Sequence, residues 1–433
     1  MTTDEMSRPF IMHRGQPLYF TPPHGWHIRT FAGVGDSSPV TDVEAAVEAS
    51  VNAPVGSPPL NTLVKGAGRV AVLVEDLTRA SPKGRILKAV LRVLTQAGVT
   101  PEQVKVVIAL GTHRGLTQKE LEATFGNEVL SQYEVINHDC HAPDLVPAGH
   151  LGSGRVVRIH PAVYEADVKI GIGSIFPHPM NGFGGGGKIL FPGVSDFDSI
   201  LAHHFEYTFL PGTGLGKTQG NPFYQSVRDV ATSAGLDFIV NSILDRRDQL
   251  FSVVAGDPVQ AHAFGMEKSR SLISEDFPLK ADITLTTSFP YTEGPQIVKS
   301  LAPAAMVTRE GGCIILSAEC EGILPGPFIQ SFERFHAAYG QNLLQGVLDH
   351  FSSGRLIMEG GAVDYNMALG MTLALMDRFK MILVSEDIPK ATADKMGFLY
   401  ARDLDQAFAL SSPLGSQPDV HIIAAGGVIL PVM

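Results

Sequence analysis

The sequence predicts an α/β protein of two domains, with mainly parallel sheets covered by helices. Three observations lead there. The chain has 433 residues, and at roughly 150 residues per domain that is two or three domains. Several short runs, such as RVAVLVED (69–76) and ADVKIGIGSI (166–175), are apolar almost throughout, as strands buried on both faces are. These runs alternate with amphipathic segments, and strand–helix alternation winds into a parallel sheet with helices on its faces.

Taken in order, residues 8–34 mix apolar pairs with Pro and Gly and read as a β-hairpin or meander. TDVEAAVEASVN (41–52) is a helix with Thr41 as its cap. After strand 69–76, Ser81-Pro82 supplies an N-cap and first-turn pair. The helix that follows sets Ile86, Leu87, Val90, Leu91 and Leu94 on one face and ends at Gly98. Strand 104–111, helix 117–126 and strands 133–139 and 166–175 follow. Beyond a glycine-rich stretch come helices 197–205 and 221–235 and strand 236–244. A second α/β series begins near 281, with strands at 281–288, 311–319, 378–386 and 419–427 and helices between them. The expected division is 1–275 and 276–433, with the active site in the cleft between two domains.

Composition narrows the function. Lys+Arg 33 against Asp+Glu 44 leaves a net charge of −11, which lacks the basic footprint that non-specific nucleic-acid binding needs. Ample apolar residues, among them Phe 23, exclude a disordered chain. The three cysteines, Cys140, Cys313 and Cys320, form no C-x-x-C pair and no disulfide framework. The first residues carry no apolar signal region. The longest apolar stretch, 422–433, falls short of the ~18 residues that span a bilayer. The expectation is a cytoplasmic protein with no membrane and no nucleic-acid partner.

Ligands of open parallel sheets bind beyond the carboxyl ends of the strands. There the sequence sets Asp76 and Arg79, His113, His178 and Lys188, and Gln296 and Lys299. Two histidines, an arginine and two lysines at four strand ends compose a site for an anion with acid–base work attached. GFGGGGK (182–188) satisfies the G-x-x-x-x-G-K spacing of a P-loop. It continues into Ile189 and a proline-containing turn rather than Ser/Thr and a helix, so that reading is set aside. Its glycines instead leave room for a planar group to approach the backbone beside Lys188. HDCH (138–141) is metal-like in composition, but its residues are adjacent and follow a strand, which favours a structural turn. Of His203 and His204, one is expected as an imidazolium at a helix C-terminus and the other as a metal ligand.

These residues resemble the lactate racemase family of nickel-pincer-dependent 2-hydroxyacid racemases and epimerases. The resemblance runs from about Pro9 to the C-terminus. It is carried by DLTR (76–79), GTHRGLT (111–117), NHD (137–139), PHPMNGFGGGGK (177–188) followed by LFPG, AHH (202–204), NPFY (221–224), AGD (255–257), Q-x-x-K (296–299) and C-x-G (320–322). The family spaces a catalytic histidine ten residues before a lysine and a metal-binding histidine sixteen after it, as His178, Lys188 and His204 do.

The resemblance implies a pyridinium-3,5-bisthiocarboxylic acid mononucleotide holding nickel, covalently attached at Lys188, with His204 as a nickel ligand. It implies His113 and His178 as acid–base partners on opposite faces of the substrate carbon. Arg79, Gln296 and Lys299 would grip the carboxylate. Asp76, Thr78, Gly184, Gly185 and Gly186 would line the cofactor. Pincer-biosynthesis proteins would be partners. The chain departs from the lactate enzymes at Pro295, where they carry Tyr, and at Ala80, where proline is common. Tyr365 is the nearest counterpart of their later Trp, and is the candidate substrate contact there. The implied substrate is therefore a 2-hydroxy acid of any of several kinds: lactate, malate, a longer aliphatic acid or a sugar acid. Two other readings of the same residues are a cofactor carrier without turnover and a lyase with Lys188 as Schiff base.

Overall fold

A computed structural model describes residues 8–78, 80–411 and 417–433. The chain divides into two units, Ser37–Leu272 and a unit that joins the residues up to Asp36 to Ile273–Met433. The N-terminal segment thus leaves the 1–275 domain expected of it. Its strand His27–Ala32 runs parallel to Asp419–Ile423, and pairing to that edge ties it to the C-terminal sheet.

The 37–272 unit holds a six-stranded sheet in the order Leu250–Gly256, Phe238–Leu244, Val168–Ile175, Val70–Glu75, Val104–Ala109, Glu134–Asn137. All neighbours are parallel except the Leu250–Gly256 edge, which pairs antiparallel with Phe238–Leu244. The chain begins at Val70–Glu75, winds outward to Glu134–Asn137, then returns to the other side as Val168–Ile175. That reversal is the point at which open α/β sheets bind ligands.

The central strands are buried along nearly their whole length, which explains their mainly apolar character. Helix Lys83–Gln96 turns Ile86, Leu87, Val90, Leu91 and Leu94 into the core, where they meet Val43, Val47 and Val51 of helix Val43–Asn52. Each such side chain contributes about 1.5–3 kcal/mol by leaving water. Asp42, not Thr41, caps the latter helix, its carboxylate accepting from Ala45 N at 3.0 Å. Ser81 does not cap the former; its hydroxyl donates to the Glu75 carboxylate. Helix Gln118–Gln132 opens on a Thr117–Glu120 capping box and is interrupted at Gly126 (φ 80°), beyond which the chain resumes helical turns.

The second unit is built on an all-parallel sheet, ordered Leu399–Ala401, Lys380–Val384, Thr308–Ser317, Ala281–Thr287, Asp419–Ile423, His27–Ala32. Helices Gly326–Tyr339, Leu343–Ser352 and Val363–Met376 pack on one another. The expected hairpin is present as Phe10–His13 and Gln16–Tyr19, closed by Arg14 and Gly15 at φ 48° and 71°. Among the described residues no helix is long and apolar enough to cross a membrane.

Gly84 fixes the approach of two helices in the first unit. A Cβ there would lie 1.9 Å from the Thr124 carbonyl oxygen, which is backbone and cannot step aside. Gly84→Ala is expected to destabilise the protein by about 1–3 kcal/mol, read as a lower denaturation midpoint. An unchanged midpoint would refute the close packing.

Candidate active site

Residues at the reversal point come from strands that adjoin in space. Asp76 directly follows Val70–Glu75 and is folded back by its own loop. Its Oδ1 accepts from Thr78 N at 3.0 Å and Thr78 Oγ1 at 2.6 Å. Its Oδ2 meets the Nδ1 of His113, which follows the neighbouring strand Val104–Ala109. A carboxylate can only accept, so the His113 proton sits on Nδ1 and the lone pair on Nε2.

His178 follows Val168–Ile175 in a small ribbon, Pro177–His178 against Gly182–Phe183. Its Nδ1 accepts from Asn181 N at 3.1 Å and Met180 N at 3.3 Å, and its Nε2 lies 3.4 Å from Lys188 Nζ. Lys188 belongs to a single 3-10 turn, Gly186–Ile189, and no long helix starts there, in keeping with setting the P-loop aside. Helix Phe197–Tyr207 presents His204, whose Nδ1 donates to the Ile200 carbonyl at 2.9 Å. Asp76, His178 and His204 are all buried.

Burial holds His204 neutral, with its pKa lowered to about 3, helped by the charge of Lys188. His203 is likewise pushed well below the usual imidazole range by burial. Neither histidine is therefore the imidazolium expected at this helix end; removal from water outweighs the helix dipole. With Nδ1–H on a carbonyl, His204 keeps its lone pair on Nε2, an arrangement in which an imidazole can ligate a metal. Among the described residues no three His, Cys, Asp or Glu side chains gather as a metal group. HDCH is a structural turn: His138 Nε2 bonds the Ser195 carbonyl at 2.9 Å, and His141 stacks on Phe197.

The glycines act differently from the expectation. Added Cβ atoms would strike the Phe176 ring at Gly184 (2.3 Å), Asn241 Oδ1 at Gly185 (2.8 Å), His262 at Gly186 (2.4 Å) and Ala231 at Gly187 (2.8 Å). The room they leave is filled by the protein itself, and their role here is to let the loop seat on its supports. Sequence reasoning missed those supports. Asn241 Oδ1 accepts from Gly186 N at 2.9 Å, and His262 Nε2 donates to the Gly184 carbonyl at 2.8 Å. Glu75 receives the Ser81 and Ser174 hydroxyls beside them. The signal for Asn241 was a lone amide in an apolar strand; His262, inside an ordinary helical pattern, had none.

In the second unit, Gln296 and Lys299 lie in the 3-10 segment Gly294–Ser300 after strand Ala281–Thr287. Gln296 Nε2 donates to Asp364 Oδ2 at 3.2 Å, a partner the sequence did not suggest, and Lys299 Nζ stands 5.3 Å from the Tyr291 ring centre. Tyr365 packs its ring edge-on to Phe328. Arg79 lies outside the described residues.

Comparison with known proteins gives a consistent picture. Residues 20–216 match the family described as the lactate racemase N-terminal domain. The lactate racemase of Thermoanaerobacterium thermosaccharolyticum is 30% identical over 282 residues, covering 64% of this chain and 66% of that protein. That of Lactiplantibacillus plantarum is 31% identical over 281 residues, with the same coverage of 64% and 66%. The aligned stretch is thus just under two thirds of each relative's length. The structure of the T. thermosaccharolyticum lactate racemase apoprotein superposes with a TM-score of 0.86 at 25% identity, over 99% of this chain and 100% of that one. A Thermotoga maritima protein shares the fold at a TM-score of 0.64 and 16% identity.

The buried neutral histidines make stability depend on pH. Burial lowers His138 and His262 to about 4 and His204 to about 3, from 6.5. Between those values and 6.5 the unfolded chain binds protons that the folded one does not, so stability falls as pH drops through that window. By about pH 5 the loss is on the order of 2 kcal/mol for each histidine. Thermal melts from about pH 7 down to about 5 should show a steadily falling Tm; a flat Tm would overturn the neutral assignment.

Proposed function

We infer function from the premise that the chain belongs to the lactate racemase family: it is an isomerase, a cytoplasmic racemase or epimerase that inverts the 2-carbon of a small 2-hydroxy acid. It works with a nickel-pincer nucleotide joined to Lys188, loaded by pincer-biosynthesis proteins. The observation that carries this reading is the grouping at one sheet reversal of the Asp76–His113 pair, the His178–Lys188 contact and a neutral His204.

The donor set suits the cofactor. His204 offers nickel one lone pair, at Nε2, and a pincer group brings its own remaining donors. Lys188 offers the nitrogen for the covalent link, and the loop seated on Asn241 and His262 holds that nitrogen steady. When bound, the pincer supplies a hydride acceptor, which spares the protein from removing a very weakly acidic α-hydrogen as a proton.

What falls to the side chains is proton handling and grip. Thr78 and the His113 ring both bond Asp76, so the carboxylate fixes the ring's tautomer and orientation. His113 Nε2 takes the proton of the substrate's 2-hydroxyl, and Asp76 stabilises the imidazolium that results. His178 would be the second member of the acid–base pair, serving the opposite face of the substrate carbon. By the resemblance, Arg79, Gln296 and Lys299 would bind the carboxylate, and Tyr365 would be a further substrate-binding residue.

Protein loaded with the nickel pincer and offered single enantiomers of lactate, malate, longer 2-hydroxy acids and gluconate in deuterated water should invert one of them with little deuterium at the α-carbon. Full deuterium uptake would overturn internal hydride return. No inversion by nickel-bearing protein would favour a carrier. Lys188→Ala should lose the covalent adduct by mass spectrometry, and His204→Ala should lower nickel per chain without preventing the adduct.

A further inference from the structure

In the second unit the amide of Gln296 meets the carboxylate of Asp364. Gln296 keeps only 9% of its surface exposed within the 3-10 segment Gly294–Ser300. Asp364 sits in the first turn of helix Val363–Met376, an end that favours a negative side chain. Gln296 Nε2 and Asp364 Oδ2 are 3.2 Å apart. A carboxylate can only accept, so the amide nitrogen must face Asp364 and the amide oxygen must turn elsewhere. Asp364 thus decides which end of a reversible side chain is offered to a ligand.

That end is Oε1, which is buried and accepts no hydrogen bond among the described residues. A buried amide oxygen without a donor is destabilising, and a ligand O–H or N–H would remove the deficit. A second carboxylate on the ligand cannot do so: it brings only lone pairs, and it approaches the Asp364 charge. A methyl group brings no charge but leaves Oε1 as it was. A hydroxyl satisfies Oε1 and is not repelled by Asp364. The substrate's 2-hydroxyl is not that donor, because the reaction takes its proton. The second N–H of the amide remains for the substrate's own carboxylate, so the role that the resemblance gives Gln296 is kept.

We propose that Asp364, acting through Gln296, is a specificity-determining residue. It selects a 2-hydroxy acid with a further hydroxyl on C3 over one with a methyl group or a second carboxylate there. This rests on the racemase reading and narrows its substrate. Among the acids named above, sugar acids come first, together with short acids of the same pattern such as glycerate, and malate comes last. Attraction at Oε1 and exclusion at Asp364 both contribute, as they do in other selective sites.

Lactate, glycerate and malate differ only in what C3 carries, and gluconate extends the glycerate pattern. Protein loaded with the nickel pincer should invert glycerate or gluconate with a kcat/KM about 10–10²-fold above lactate, the scale of one buried polar group left unpaired. Malate should fall roughly tenfold or more below lactate, the scale of a like charge near a protein surface. Calorimetric titration of the same protein with hydroxypyruvate, pyruvate and oxaloacetate, the matching 2-oxo acids, should give the same order without turnover. Asp364→Asn removes the charge and lets the Gln296 amide turn over, since Asn can donate as well as accept. It should bring malate to within roughly tenfold of glycerate. Each comparison is a ratio within one protein, so lost folding or loading cannot imitate it, and a purely structural Asp364 would lower all acids alike. Lactate or malate inverted as fast as the 3-hydroxy acids, or ratios unchanged in Asp364→Asn, overturns the proposal and leaves the racemase reading standing. Nickel-bearing wild type that inverts none of the four acids removes that reading and this preference with it.

Discussion

A parallel sheet wound outward from a middle strand has to reverse, and where it reverses the two neighbouring loops leave toward opposite faces. Everything chemical in the 37–272 unit depends on that geometry. Val70–Glu75 and Val168–Ile175 lie side by side although about a hundred residues separate them in the chain. Asp76 and His178 stand just beyond their ends, and the loop after Val104–Ala109 delivers His113 to Asp76 from the next strand. The second unit repeats the arrangement with Ala281–Thr287 and Asp419–Ile423 as the adjoining strands and Gln296 and Lys299 just past the reversal. Main-chain hydrogen bonds of the sheet thus set the positions of groups that lie beyond its strands.

Around this edge lies a layer of buried amides and imidazoles whose partners are main-chain groups. Asn181, Asn221, Asn241 and His262 each hold a carbonyl or N–H of the 178–188 segment. Leaving any of those backbone groups without a partner in the interior would cost about 1–3 kcal/mol, so removing one support is felt as loop distortion. The tight seats of Gly184, Gly185, Gly186 and Gly187 belong to the same layer. A loop fixed by its supports can present Lys188 and His178 at set positions; a solvated glycine loop could not.

Much of this was legible in the sequence for identifiable reasons. Buried strands such as VAVLVE carry no polar interruptions, so the alternation of strand and helix could be read directly. The strand-end rule then picked out Asp76, His113, His178 and Lys188 without any distance. What escaped depends on direction and partner, which composition does not encode. The glycine run signalled missing side chains, but only the Cβ directions show Phe176 and His262 filling the space. Ser81 looked like a cap and instead serves Glu75, because the loop turns it back toward the strand end. His27–Ala32 read as part of a meander, since a half-exposed edge strand lacks the apolar run that marks its neighbours. Which groups face each Nδ1 of His113 and His178 is likewise invisible to composition.

The parallel pairing of His27–Ala32 with Asp419–Ile423 has a consequence for the order in which the protein is made. The 37–272 unit is contiguous, and it can collapse on the ribosome as soon as it emerges. The other unit cannot complete its sheet then, because its first-synthesised strand waits for a partner 387 residues downstream of Ala32. At about 5–20 residues per second that wait is roughly 20–80 s. Throughout it, the early strand is tethered to a folded neighbour with its hydrogen-bonding edge unpaired. Polar and charged positions along it, His27, Arg29 and Thr30, are suited to an interval spent in water.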